Sequence, residues 1–391
     1  MIEMITAHTG EIDDTEAAAA ELIAQIEAGK GLRKYSIGLI SCFADFISSG
    51  LIKELAKKLP FEILGATTLA SEDGDVQGET LLILSILTSD EIEFVTGLTE
   101  PITGEDPELL RRAYEKTTGT RREKPAFMLA FAPLLMNVSG DFFAEAWTDI
   151  TGNVPVFGTL AVDHNTDYHE SQTILNEQTF RDRFVFALVY GNINPSFIVG
   201  GISENKIFRE KGVVTASHGN QLQEVNGVSV ADYLSSLGLS KNKDGIIEGI
   251  NSFPFILDYN DGAQPVIRVM FAITPEGYAV CGGKMPVGAS LTVGGINAEE
   301  VLNTTEETLK LALAIGESNG SKHGMLIFSC VGRFFVQGFD TAAEMKKVKK
   351  VLENKLPFHF AYSGTELCPV YGSDRAVYNR SHNDTIIICI F

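Results

Sequence analysis

Several polar side chains with binding chemistry stand beside predicted strand ends in the last third of the sequence. Arg333 follows Cys330 in "MLIFSCVGR", while Tyr362, Thr365 and Glu366 lie in "AYSGTELCP", at the end of a strand predicted to pair nearby. Arginine holds a carboxylate through two parallel hydrogen bonds, and a glutamate can hold an ammonium group. Together these residues predict a site for a zwitterion such as an amino acid. The alternative is that Arg333 and Glu366 pair with each other and fix the loop.

Three further residues are candidates for the same ligand site. Arg268 interrupts the apolar strand "VIRVMF". A charge there faces solvent, a partner or a pocket, because leaving it buried alone is costly; solvent is the simplest expectation. Thr67 and Thr68 of "GATT" place hydroxyls at a strand end in the first part of the chain. Threonine is also a common strand residue, so a purely structural role is the alternative.

One acidic and histidine-rich stretch, "DHNTDYHE", could bind a divalent metal. His164 and His169 are separated by five positions, which does not put both on one face of a helix. We therefore expect a solvated loop and no metal site. His164 follows an apolar strand end and is the candidate ligand if the protein binds haem, although no C-x-x-C-H attachment motif is present. The sequence thus predicts no cofactor, with haem as the alternative.

The five cysteines contain no C-x-x-C pair and mostly adjoin apolar runs, which predicts buried free thiols. Cys330 could serve as a nucleophile only with a histidine nearby to lower its pKa, and no spacing identifies one. The motifs of phosphate loops, zinc proteases, serine hydrolases and dinucleotide-binding folds are absent from the sequence. We expect a protein that is not an enzyme, with a cysteine-dependent enzyme as the less favoured alternative.

These candidate residues are positioned by a pattern of strands and helices that occurs three times. Each unit reads β-α-β-α-β-β, and the cysteines of "IGLISC" and "MLIFSC" end the second strand of the first and third units. Pro60, Pro155 and Pro357 stand at the end of the second helix in each unit. The units begin at the N-terminus, at Glu91 and near Leu291.

The fold predicted from this pattern is α/β (α+β), with a β-rich domain inserted between the second and third units. Turn signals such as Asn226-Gly227 and Asp261-Gly262 mark the insert. We expect one domain over residues 1–193, containing two units, and a second over residues 194–391. The second divides into the insert at about 194–287 and the third unit at about 288–391.

Composition excludes several classes of partner. The formal net charge is −20 at pH 7, which disfavours nucleic acid and anionic membranes. The apolar runs are much shorter than the roughly 20 residues of a membrane-spanning helix, so no membrane insertion is expected. The N-terminus lacks the features of a secretory signal. We expect a cytoplasmic protein.

The sequence resembles the FIST proteins, which have an N-terminal FIST domain followed by a FIST C-terminal domain. The N-terminal resemblance is in "SCFADF", "LPFEILGATTLASEDG", "TLLILSI" and "FGTLAVD"; the more specific C-terminal one is in "VNGVSVADYL", "VIRVMF", "MPVGASL", "CVGR", "PFHFAYSGTELCP" and "HNDT". The positions that fit the C-terminal pattern are Cys330, Gly332, Arg333, Gly364, Glu366 and Pro369.

The resemblance implies a sensory module that recognises small ligands such as amino acids and reports to histidine kinases, chemoreceptors or cyclic-dinucleotide enzymes. It also implies the haem alternative, because some members resemble haem-binding nitric-oxide sensors. The sequence ends at Phe391 directly after a strand, with no kinase, receptor or cyclase attached. We therefore expect a stand-alone sensor that binds a small ligand and reports to a separate partner.

Overall fold

The protein has a mixed α/β fold, as its sequence predicts. The computed structural model describes residues 2–165, 167–239, 242, 247–353 and 355–391. The described strands form four sheets, three built mainly from the repeated units and one from the inserted segment. Within these ranges no helix has the length and apolar composition needed to cross a membrane.

The first unit supplies three regular helical segments and six strands. In chain order they are β1 (Glu3–Thr9), α1 (Thr15–Ala28), β2 (Tyr35–Cys42), α2 (Asp45–Ser48), α3 (Leu51–Lys58), β3 (Glu62–Thr67), β4 (Ser71–Glu72), β5 (Gln77–Gly78) and β6 (Leu82–Ser89). The second unit contains β7 (Glu93–Leu98), α4 (Pro107–Thr118), β8 (Phe127–Ala132), α5 (Gly140–Thr151), β9 (Val156–Leu160), β10 (Thr173–Leu175), β11 (Gln178–Phe180) and β12 (Val185–Tyr190).

The rest of the chain forms the third sheet and the insert. After β13 (Ser196–Gly200) come β14 (Gly212–His218), β15 (Gln221–Val225), β16 (Val228–Ser229), α6 (Val230–Ser236), β17 (Phe255–Asp258), β18 (Val266–Arg268), β19 (Met270–Ile273), β20 (Ala279–Cys281) and β21 (Ser290–Val293), with 3₁₀ turns at Glu204–Lys206 and Ile250–Ser252. They are followed by α7 (Ala298–Asn319), β22 (Met325–Cys330), α8 (Val331–Val336), α9 (Thr341–Leu352), β23 (Phe358–Ser363), β24 (Glu366–Tyr371), β25 (Val377–His382) and β26 (Ile386–Ile390).

Local chemistry explains where several helices begin and end. The side chain of Asp14 accepts a hydrogen bond from the amide of Ala17 and caps α1, and Ser139 caps α5 in the same way through Phe142. Such caps satisfy amide groups that the first helical turn leaves without partners. Helix α3 ends at Lys58, and Leu59 is already extended ahead of Pro60.

Three sheets have the same strand order, and each borrows a hairpin from another unit. The first sheet is β1-β6-β2-β3-β10-β11, the second is β7-β12-β8-β9-β24-β25, and the third is β13-β26-β22-β23-β4-β5. Thus the hairpin of the second unit extends the first sheet, that of the third extends the second, and that of the first extends the third. The exchange ties the three units together through backbone hydrogen bonds.

The three sheets share one apolar core and place their helices outside it. Leu39, Leu129 and Phe328 come from three different sheets and belong to the same buried cluster. Separate clusters fill the space between each sheet and its own helices, and a fifth forms the core of the insert. Successive side chains of a strand point to opposite faces of the sheet, so each sheet contributes to the shared core on one face and to the cluster beneath its helices on the other.

One predicted element belongs elsewhere. The strand near Leu291, predicted to open the third unit, is β21, which pairs with β14 and β17 in the sheet of the insert. The first strand of the third sheet is β13, which pairs with β26. The insert therefore lies within the third unit, between β13 and α7, because a short apolar strand carries no signal of which sheet it joins.

Candidate functional site

Three segments of the third unit meet at the end of the second and third sheets. They are the start of α8 after Cys330, the start of β24 at Glu366, and the turn Asn383–Thr385 between β25 and β26. The amide of Cys330 donates to the carbonyl oxygen of Thr385 over 2.9 Å, and Glu366 faces His382 in the β24–β25 ladder. Sheet pairing thus brings together residues up to 55 positions apart, such as Cys330 and Thr385.

Two buried acids form the centre of this cluster. Glu366 and Asp384 are fully buried. The Thr385 hydroxyl donates to Glu366 Oε2 over 2.8 Å. Glu366 Oε1 and both carboxylate oxygens of Asp384 have no hydrogen-bond partner among the residues that the structure describes. Buried polar atoms rarely lack hydrogen-bond partners, so these oxygens indicate a place where a bound group could donate hydrogen bonds.

Burial dominates the ionisation of both acids. It raises the pKa of Asp384 to about 7, partly offset by the positive charge of Arg333. Burial also raises the pKa of Glu366 well above its usual value, the Thr385 hydrogen bond opposes the rise, and neighbouring Asp384 adds to it. Both carboxyls therefore retain protons to much higher pH than exposed acids do.

The backbone is shaped to hold Asp384 against α8. Asp384 has a φ of 51°, in the left-handed region that aspartate tolerates better than most residues. A Cβ atom at Gly332 would overlap the Asp384 carboxylate, so this close approach requires glycine. Glycine at position 332 is thus explained by a contact with a residue 52 positions further along the chain.

Cys330 is buried beside the two acids. Its sulfur accepts a hydrogen bond from the Gly332 amide over 3.4 Å. Burial and the neighbouring charges of Glu366 and Asp384 raise the pKa of this thiol well above its usual value. The other four cysteines are also free and buried.

Arg333 does not pair with Glu366, contrary to the alternative considered from the sequence. It is fully buried, and its Nε and Nη2 atoms donate to Glu344 Oε1 over 3.0 and 2.8 Å. Further bonds run to the Thr304 and Thr305 hydroxyls and the Val301 carbonyl oxygen. The guanidinium is engaged by α7 and α9, because both helices pack over the outer face of the third sheet.

Arg268 is buried, so the expectation that it faces solvent was wrong. Its Nη2 atom donates to Asp141 Oδ1 and to the Tyr259 hydroxyl, each over 2.6 Å, and Nη1 donates to the Ser381 carbonyl oxygen over 2.8 Å. The other Asp141 oxygen accepts from the Lys284 amide over 2.7 Å. This network attaches the insert to α5 and to β25, and the ion pair offsets the cost of burying the charge.

The insert covers the turn that carries Asp384. A Cβ atom at Gly282 would overlap the side-chain oxygen of Asn383, and one at Gly283 would lie 2.5 Å from Asp141 Oδ2. Ile267 reaches Gly201 at the end of β13, where Thr385 also lies in contact distance. The close approach of glycine backbone to these side chains packs the insert over the turn and helps to bury the acids.

The remaining predicted residues have structural partners or lie nearby. Thr68 donates to the Tyr362 carbonyl oxygen over 2.8 Å, and Thr67 accepts from the Gln172 amide over 2.9 Å, so both hold the junction between units. Thr365 accepts from the Asn383 side chain over 3.4 Å beside the acids. The Tyr362 hydroxyl is buried without a partner among the described residues.

The described residues of the histidine-rich loop have other roles than metal binding. Asp163 is buried and accepts from the amides of Asn165 and Glu170, while His164 is exposed and stacks on Phe43 with ring centroids 4.5 Å apart. The described part of the chain has no group of three or more His, Cys, Asp or Glu side chains placed to hold a metal ion.

Sequence reasoning missed the partners that decide these roles. Asp384, Glu344 and Asp141 were not singled out, although Asp384 lies in the quoted motif "HNDT". The available signal was an aspartate in a turn after a strand, which is common in proteins. Only the contacts with Gly332, Arg333 and Arg268 give these acids their roles.

The comparisons with known proteins agree with the resemblance in sequence. The family model of the FIST N domain matches residues 36–228, and that of the FIST C domain matches residues 229–369. No curated protein matches the chain.

Two solved structures of cyanuric acid hydrolases are similar to the chain. One, described as an evolutionary innovation by structural concatenation, has 11% identity and a TM-score of 0.30, over 75% of this chain and 99% of that one. The other, from A. caulinodans, has 10% identity and a TM-score of 0.35, over 100% of this chain and 99% of that one.

Proposed function

The chain belongs to the FIST family, whose domains are sensory and bind ligands, and from this we propose that it senses a small molecule bearing an ammonium group. The binding site is the cluster of Glu366 and Asp384 beneath the insert. An amino acid or a related amine is the ligand class that we propose. A partner protein such as a histidine kinase, a chemoreceptor or a cyclic-dinucleotide enzyme reads the occupied state.

One observation carries this proposal. Glu366 Oε1 and the two Asp384 oxygens lack partners in the described ranges, and an ammonium group has three N–H donors. A cation that donates to these oxygens would supply both the missing hydrogen bonds and the missing charge. Charge-assisted hydrogen bonds of this kind are stronger than neutral ones.

The ammonium end is the part of the ligand that the cluster is suited to recognise. The carboxylate of an amino acid needs donors, and the two buried arginines at this end of the molecule are engaged by Glu344 and Asp141. Neutral groups remain: Ser381 Oγ and His382 Nδ1 are buried and lack partners among the described residues. Recognition of the carboxylate therefore depends on hydroxyl and imidazole groups or on rearrangement of an arginine.

Signalling follows from the position of the insert over the acids. A ligand enters the cluster when the insert moves away from the turn Asn383–Thr385, and the bound ligand then favours one arrangement of the insert. A partner that binds the two arrangements with different affinities reads the ligand. The Arg268–Asp141 ion pair is the contact that such a movement would strain or break.

We propose that the protein is not an enzyme and works without a resident cofactor. Burial keeps the Cys330 thiol protonated at neutral pH, which disfavours nucleophilic attack. His164 lies on the surface against Phe43, which supports a packing role for this candidate haem ligand. Slow alkylation of Cys330 in the folded protein, and no sharp Soret band after addition of haemin, are the expected results.

Thermal unfolding against a panel of amino acids, simple amines and simple carboxylates tests the proposal. A ligand at a hundred times its Kd stabilises the folded state by about 2.7 kcal/mol. We expect a selective shift with amino acids or amines and none with carboxylates alone. A shift with carboxylates alone, or with none of the panel, would contradict the assignment.

Two variants locate the binding site. Glu366→Gln keeps the shape of the side chain but removes its negative charge, and we expect it to abolish the shift. Glu72→Gln is the matched control, because Glu72 is also fully buried with both oxygens lacking partners in the described chain, but lies on β4 of the third sheet. A shift lost in both variants would indicate a general effect on the fold.

A further inference from the structure

We infer that the cluster of Glu366 and Asp384 takes up its ammonium ligand in exchange for protons, so that ligand binding weakens as the pH falls. This inference rests on the proposed function of the site. It adds a second input, because the same acids that bind the ligand also bind protons. The protein would therefore report the amine and the acidity of its surroundings together.

The geometry requires such an exchange. Both acids are fully buried, and three of their four oxygens have no partner in the part of the chain that is described. Among the described residues, the two buried arginines near the acids are already paired, Arg333 with Glu344 and Arg268 with Asp141. Two negative charges cannot remain buried side by side without compensation, so protons occupy the empty site.

The ligand replaces those protons directly. When the ammonium group enters, each carboxyl O–H bond breaks, its proton passes to solvent, and the carboxylate accepts an N–H donor. The pKa of Asp384, about 7 in the empty site, places this release near neutrality. Glu366, whose pKa burial raises well above its usual value, supplies a second proton.

Other titratable groups around the acids do not change charge in this range. The pKa of His382 is lowered to about 3, mainly by burial, so its ring stays neutral. Burial raises the pKa of the Cys330 thiol and of the Tyr362 hydroxyl well above their usual values. In the described ranges, the buried charged groups beside them form two ion pairs, Arg333–Glu344 from α8 and α9 and Arg268–Asp141 from the insert and α5.

Methylammonium chloride is the probe for the exchange, and tetramethylammonium chloride is its control. Both salts supply a monovalent cation, but only methylammonium has N–H groups to donate. We expect methylammonium to stabilise the wild-type protein more than its control at about pH 7.5. Below the pKa of Asp384, each displaced proton should lower the apparent affinity for methylammonium about tenfold per pH unit.

Proton release gives the second readout. Methylammonium added to the weakly buffered protein at about pH 6.5 should release about one to two protons per chain. The Glu72→Gln variant should release as many as the wild type, and Asp384→Asn should release fewer.

The outcomes separate the exchange from the proposed function. Methylammonium binding of equal strength at about pH 7.5 and about pH 6.5, or binding without proton release, would overturn the exchange and leave the ammonium site in place. If methylammonium stabilises the protein no better than its control at either pH, the exchange and the ammonium assignment both fail.

Discussion

Asp384 should lower the stability of the empty protein, so removing its charge should stabilise the fold. The variant is Asp384→Asn, which keeps the size of the side chain and suits the φ of 51° at this position. The amide carries no charge at any working pH. We therefore expect the variant to be more stable than the wild type near neutrality.

The magnitude follows from the pKa of the buried carboxyl. Burial raises the Asp384 pKa from 3.8 to about 7, and each unit corresponds to about 1.4 kcal/mol, so the upper limit is about 4 kcal/mol. The folded state keeps its proton up to about pH 7, whereas the unfolded chain releases it near the ordinary value. Wild-type stability therefore falls as the pH rises through this window and levels off above it. The gain in the variant grows over the same range and is near zero at the acidic end.

Urea unfolding of both proteins at several pH values measures this difference. The slopes of the two transitions should agree, so that a change in midpoint reports stability alone. Asp141→Asn is the matched control of opposite sign, because Asp141 is equally buried but neutralises Arg268. It should destabilise the protein by about 3–5 kcal/mol at neutral pH. A difference between Asp384→Asn and wild type that does not depend on pH would refute the reasoning.

Two further substitutions test contacts of the site. Gly332→Ala places a methyl group against the Asp384 carboxylate. It should lower the free energy of unfolding by about 1–3 kcal/mol, seen as a lower midpoint of thermal unfolding, and reduce the ligand shift. Unchanged stability would show that the two groups are not in contact. Arg268→Met leaves Asp141 buried without its cation and should cost about 3–5 kcal/mol, whereas Arg268→Met with Asp141→Leu should recover most of this loss. An equal loss in the single and double variants, measured by urea unfolding, would contradict a role for the ion pair.

The sequence predicted the mixed fold class, most of the long helices and the main strands. These elements depend on interactions within a few residues, such as the Asp14 cap of α1 and the extended Leu59 before Pro60. Apolar spacing along a helix or strand is likewise visible over a short window. The same local information singled out Cys330 and Glu366, and the family resemblance included the segment "HNDT"; these parts of the chain meet in the folded protein.

The short hairpins and their exchange between units were decided by the tertiary structure. Glu72 pairs with Phe360, almost three hundred positions away, and Thr173 pairs with Ala66. Strands of two or three residues carry little periodicity of their own. Their partners are set by which sheet edges lie close together once the three units pack.

The roles of the charged residues were also decided at this level. Arg268 and Asp141 are 127 positions apart, and Arg333 binds Glu344 on α9, a residue that nothing in the local sequence distinguishes. The Asp384 carboxylate is buried without a hydrogen-bond partner in the described chain, and the insert packs over the turn on which it lies. Burial, pairing and pKa depend on everything that surrounds a side chain in three dimensions, whereas a local sequence pattern reports only its neighbours along the chain.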